Sequence, residues 1–165
     1  MQTDALASTG LPEGAIGAHH QDVQRLGVCV GSIGLLFPSD GGREVMLPPS
    51  VSRLPNTALW LRGLANVRGA LVPVLDLAGA LGVARESSTP SYLLIFGQGE
   101  TVMGLLIDGL PRLISLDAAT QLPELPEVPA LLEGSVSAVY NHADRIWIDV
   151  ESDLLFDSLA RHVAL

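Results

Sequence analysis

The sequence predicts a mostly β protein made of small barrels, and three observations carry that reading. Short apolar runs recur at close spacing from residue 25 to residue 149, with turn clusters rich in Gly, Pro, Asn and Asp between them. Few stretches have a helical period, and many short strands with few helices fit small closed sheets. The hydrophobic content is 48% but aromatics are only 4%, so Leu, Val, Ile and Ala must fill the interior. The strand groups fall on either side of a polar stretch, residues 85–90, which ends in Pro90 and reads as an exposed link. Spacing alone leaves open whether they form one barrel or two.

Residues 1–24 are rich in Gly, Ala, Ser and His without a consistent period and read as a mobile arm or short helical extension. The runs 25–30 and 33–37, split by Gly31-Ser32, form a first hairpin; 38–42 is a turn, and 43–47 the next strand before Pro48-Pro49. Residues 58–62 are too short for more than one helical turn. The runs 63–67 and 70–75, broken only by Arg68-Gly69, read as a tight hairpin with Arg68 at its tip; Pro73 makes the second an edge or bulged strand. Asp76 ends that strand, and 77–81 followed by Gly82 reads as a short helix stopped by glycine. Further on, 92–96 and 102–107 flank a glycine-containing turn. Asp108-Gly109 reads as another turn, and 110–116 as a strand interrupted by Pro111. Residues 117–129 form an irregular acidic loop, with a helical turn near 117–121. The runs 131–140 and 145–149 make a last hairpin across 141–144, and apolar residues at 150, 154, 155, 159 and 163 predict a C-terminal helix.

Charge narrows the function. A net charge of −9 with only nine Lys and Arg disfavours a nucleic-acid partner, whose phosphates need cations in number, and an anionic membrane surface. The N-terminus has neither a basic region nor an apolar core, and no apolar run approaches the roughly 20 residues of a membrane span, which predicts a soluble cytoplasmic protein without membrane insertion. The single cysteine, Cys29, lies in an apolar run and reads as a buried, inert thiol. Asp76, Asp108 and Asp149 each follow an apolar run. A carboxylate cluster for acid–base work or metal binding is one reading, and strand ends whose Asp bonds backbone N–H groups the simpler one. His19-His20, His142 and His162 have no second ligand cluster at metal spacing, Gly-x4-Gly-Lys-Ser/Thr is absent, and no catalytic residue, cofactor or metal site is expected. Trp60 and Trp147 read as core or seam residues. Arg68, at a hairpin shoulder, can pair bidentately with a carboxylate.

Leu54-Pro55-Asn56, Trp60, Arg62-Gly63, Asn66-Val67-Arg68-Gly69 and Val72-Pro73-Val74-Leu75-Asp76-Leu77 together form a long, irregular pattern. In this it resembles the CheW-like family, adaptor domains that couple chemoreceptors to a histidine kinase, over roughly residues 25–156. Residues 65–69 and 76–79 resemble most the PilI-like branch, associated with type IV pili and twitching motility.

The resemblance implies two five-stranded SH3-like barrels packed around a hydrophobic seam, in a CheW-like domain over 25–165 with approximate halves 25–84 and 91–150 and chain exchange between them. It implies a non-enzymatic adaptor whose partners are the regulatory domain of a CheA-type histidine kinase and a chemoreceptor tip. It also brings Glu44 to a carboxylate position, and so implies a Glu44–Arg68 pair on a protein-binding surface with Arg62, Asn66, Val67 and Gly69. The chain departs from the pattern at Ala78, where chemotaxis versions often carry a basic residue, and at Pro48-Pro49. The rivals are a flagellar chemotaxis coupling protein within the family and, outside it, a small-barrel enzyme or ligand-binding module using Asp76, Asp108 or Asp149.

Overall fold

A computed structural model describes residues 23–164, apart from Glu86, Ala118, Ala119 and the side chain of Arg43. The arm expected before residue 23, with His19 and His20, lies outside the described residues. Ten strands follow in order: β1 (Val23–Val30), β2 (Ile33–Pro38), β3 (Gly42–Met46), β4 (Val51–Ser52), β5 (Leu61–Val67), β6 (Ala70–Asp76), β7 (Ser91–Phe96), β8 (Met103–Leu116), β9 (Val136–His142) and β10 (Arg145–Val150). Two helices, α1 (Leu77–Leu81) and α2 (Ser152–Arg161), follow β6 and β10.

Pairing sorts these strands into two SH3-like groups. In one, β4, β5 and β6 lead to the first part of β8, which also pairs with β7 and through it with β3. In the other, the second part of β8 pairs with β1, followed by β2, β10 and β9. The chain therefore crosses between groups more than once, and the 14-residue β8 belongs to both. The parallel β2–β10 and β6–β8 pairings each join strands distant in sequence, which local hairpins cannot supply.

Apolar side chains divide the same way. Ala65, Val67, Val72, Val74, Leu93 and Ile95 fill the first barrel. Leu36, Ile114, Leu116 and Trp147 fill the second. The largest cluster lies between the barrels and takes residues from both, together with Leu77 and Leu81 of α1 and Leu155 and Leu159 of α2. The Phe96 ring packs tilted against Phe37 at 5.1 Å and edge-to-face against Phe156 at 5.2 Å, tying β2, β7 and α2 together at this seam. Trp147 is 2% exposed, as its core reading requires, and lies so close to β2 that a Cβ at Gly34 would stand 2.5 Å from its ring. Glycine is the residue that lets the indole in.

Four local expectations give way. Residues 59–60 form a turn, with Leu61 N donating to Ala58 O, so Arg62 lies in β5 and not in a helical turn. Asp108-Gly109 does not reverse the chain. β8 runs straight on, with Gly109 at φ +72°, because the register with β1 slips between Gly27 and Cys29. Pro111 falls in that slipped stretch, where no ladder pair needs its missing N–H. The strand expected over 131–140 begins at Val136, after a 3₁₀ turn at Ala130–Leu132. In the C-terminal helix Leu155 and Leu159 are buried, while Leu154 is exposed and Val150 belongs to β10.

Candidate functional site

The β5–β6 hairpin builds the site expected from sequence. Along β5 burial alternates, with Leu61, Gly63, Ala65 and Val67 inward and Arg62 and Asn66 outward. At the turn Arg68 has φ 53° and Gly69 φ 87°, the two positive values a tight two-residue connection requires. Asn66 fixes the turn by accepting from Gly69 N through its Oδ1 at 2.8 Å. Arg68 is thereby projected off the end of the hairpin. Its Nη2 donates to Glu44 Oε1 on β3 at 2.6 Å, with the two side chains 77% and 30% exposed.

Of the six residues expected at this surface, five gather around the turn and on β5, and Glu44 reaches them through the ion pair. Arg62 and Asn66 share the outward face of β5, but Val67 faces the first barrel's core. The exposed apolar neighbour is Leu71, which stands opposite Asn66 in the ladder and is 68% exposed. Ala78 is buried on α1, so the position where a basic residue was noted as missing presents nothing outward here.

A second charged site was not visible in the sequence. Arg85, expected in an exposed link, lies between the barrels with its side chain only 23% exposed. Its Nη2 donates to Asp76 Oδ1 at 2.9 Å and to Leu106 O at 3.0 Å, and its Nη1 to Ser91 Oγ at 3.0 Å. Nη1 also stands 3.1 Å from Asp108 Oδ1. Asp108 accepts in addition from Gly31 N at 2.6 Å, and Asp76 caps α1 by accepting from Gly79 N at 3.2 Å. Arg62 Nη1 stands 3.7 Å from Asp76. One guanidinium thus joins β6, β8 and, through Asp108, the β1–β2 turn. The only hint in the sequence was a pair of strand-end acids in need of a cation.

Asp149, on β10, meets Arg25 Nε at 3.1 and 3.2 Å. Burial raises its carboxyl above the ordinary 3.8, and Arg25 offsets part of that rise. All three strand-end acids therefore have arginine partners, and among the described residues no cluster of three His, Cys, Asp or Glu could hold a metal ion. Cys29 is half-buried beside the second barrel's core. His142 accepts from Trp147 Nε1 through its carbonyl at 3.3 Å, and His162, the C-cap of α2, contacts Ser158 O at 2.7 Å. Among the described residues no helix is long and apolar enough to cross a membrane.

The CheW-like domain matches residues 24–159, so the chain belongs to the CheW-like domain family. It is 27% identical over 124 residues to Protein PilI of Pseudomonas aeruginosa, covering 74% of this chain and 69% of that protein. It is 35% identical over 93 residues to the chemotaxis protein CheW of Klebsiella aerogenes, an alignment spanning 54% of each. The crystal structure of the scaffolding protein TtCheW from Thermoanaerobacter tengcongensis superposes with a TM-score of 0.68 at 20% identity, over 87% of this chain and 94% of that one, which shows a shared fold.

Proposed function

We propose that this member of the CheW-like domain family is a non-enzymatic, cytoplasmic adaptor that couples a chemoreceptor to a CheA-type histidine kinase. In this reading one barrel binds the kinase regulatory domain and the groove between the barrels takes the receptor tip. Signal passes as a shift in kinase populations, set by which contacts each state makes, with no reaction on this chain. The likeness to PilI supports an array that controls type IV pili and twitching. The likeness to the Klebsiella chemotaxis protein supports a second reading, in which the same adaptor serves flagellar chemotaxis.

The observation that carries the proposal is Arg68. A two-residue turn favours Asn or Gly at that left-handed position, and an arginine there costs about 1 kcal/mol of backbone strain. The exposed pair with Glu44 stabilises by no more than about 1 kcal/mol. Folding alone gives little reason for this residue at this place, whereas a charged, projecting guanidinium beside Asn66 and the exposed Leu71, with Arg62 further along the outward face of β5, suits a protein interface. Against an enzyme stand the three acids, each paired with an arginine in place of a catalytic base.

The test is capture of the host's kinase regulatory domain and receptor signalling fragment by wild type and by Arg68→Ala. The proposal expects both variants to fold and only the wild type to capture; failure of the wild type to bind either partner overturns it.

A further inference from the structure

Among the described residues the second barrel is not closed by strand pairing. β1 covers one edge of β8 from Asp108 to Leu116, and among the described residues no strand pairs with the other edge beyond Asp108. Across the gap stands the β9–β10 turn. Between them opens a slot of about 280 Å³, walled by Arg112–Ser115 on one side and by His142, Ala143 and Arg145 on the other, with Ile114 and Trp147 at its floor. We propose that this slot docks an extended, acidic segment of a partner protein, added as a strand to the free edge of β8. The site is separate from the Glu44–Arg68 surface.

Three observations converge on that occupant. First, alternate N–H and C=O groups of a strand point to each edge, so the outer edge of residues 112–116 offers ladder partners that no described strand takes. An extended peptide satisfies them by strand addition.

Second, the charge of the slot is opposite to that of the molecule. The chain carries −9 overall, and its cationic side chains are nine arginines. Arg25, Arg62, Arg68 and Arg85 each have a carboxylate within 4.0 Å. Arg53, Arg112, Arg145 and Arg161 have none within that distance among the described residues, and of these Arg112 and Arg145 line the slot, where the side chain of Arg145 makes a 3.4 Å bond to Gly31 O. Asp144, next to Arg145 in the turn, makes no ion pair with it. Two arginines lining one slot, beside His142, select carboxylates, which an arginine fork binds bidentately.

Third, Leu110 and Leu113 on β8 are each 63% exposed at the margin, so the segment that lies there must carry apolar residues as well. Alternating apolar and acidic residues in an extended chain meet all three demands.

The experiment titrates the full chain with an eight-residue peptide of alternating Val and Glu, and with its Val–Lys counterpart, by fluorescence anisotropy. Binding is mapped through the Trp147 indole N–H in a proton–nitrogen correlation spectrum. The proposal expects saturable binding of the Glu peptide with a shift of the Trp147 signal. That binding weakens about tenfold or more in Arg112→Glu/Arg145→Glu, and weakens as salt is raised. Arg112→Glu alone, at an exposed position, serves if the double variant misfolds. No saturable binding, equal binding of the Lys peptide, or undiminished binding by the variants overturns it. So does a dimer of the wild type that the variants abolish, since a second copy would then be the occupant.

Discussion

Arg85 and Arg68 both meet carboxylates at hydrogen-bond distance, yet they lie far apart in burial. Arg85 is enclosed at the junction of the barrels and holds Asp76 and Asp108, whose side chains are 15% and 7% exposed. Arg68 stands off the hairpin tip at 77% exposure with one partner. The same functional group therefore does different work. Removing the enclosed one strands two nearly buried charges, a strongly destabilising event. Removing the exposed one returns Glu44 to water at little cost. An ion pair that contributes little to folding can be devoted to recognition, whereas one at a junction cannot be changed without moving the junction.

Predictions sharpen this contrast in order of size. Arg85→Ala should lower stability by about 3 kcal/mol in urea denaturation and blur the near-ultraviolet signal of the seam. An effect as small as that of Arg68→Ala would erase the distinction. Asp108→Ala should cost about 2 kcal/mol, because it leaves both the Arg85 guanidinium and Gly31 N without their acceptor. Arg68→Asn should change stability by less than about 1 kcal/mol, since the lost pair is offset by an easier left-handed turn, while partner capture falls.

The Arg25–Asp149 pair lies between the two cases and adds a pH signature. Burial holds the Asp149 carboxyl above 3.8, so the folded chain keeps that proton more tightly than the unfolded one. Stability contributed at this site is therefore greatest at low pH and falls as pH rises from 3.8 through the raised value. Asp149→Asn removes that dependence. Urea midpoints of the two proteins should diverge in the variant's favour across this window and run parallel above it. Divergence of opposite sign would show that Arg25 outweighs burial.

How much of this was legible in the sequence follows from where each partner lies. The β5–β6 hairpin could be read because everything that specifies it is local: two apolar runs, a two-residue turn, and Asn66 three residues from Gly69. Asp76 and Gly82 likewise mark the ends of α1 within one short stretch. The Glu44–Arg68 pair spans 24 residues and came from family resemblance. Arg85 had no such help. Placed between Gly82 and Pro90 it looks like a solvated charge, and its partners come from two strands whose adjacency is a property of the parallel β6–β8 pairing. The passage of β8 through Asp108-Gly109 was hidden for a related reason. A turn dipeptide and a bulge dipeptide are the same residues, and the choice is made by β1 lying alongside.

The central claim is that Arg68 and Glu44 meet a partner and do not merely tie β3 to the hairpin. The most direct measurement is the affinity of the host kinase regulatory domain, by calorimetry, for wild type, Arg68→Glu and the charge swap Glu44→Arg/Arg68→Glu. The swap restores the internal ion pair with its sign reversed toward the partner. The account predicts that the wild type binds, that the swapped protein folds as stably as wild type, and that its affinity stays at least about tenfold weaker, alongside the single variant. Recovery of wild-type affinity in the swapped protein would contradict it and make the pair a purely structural tie.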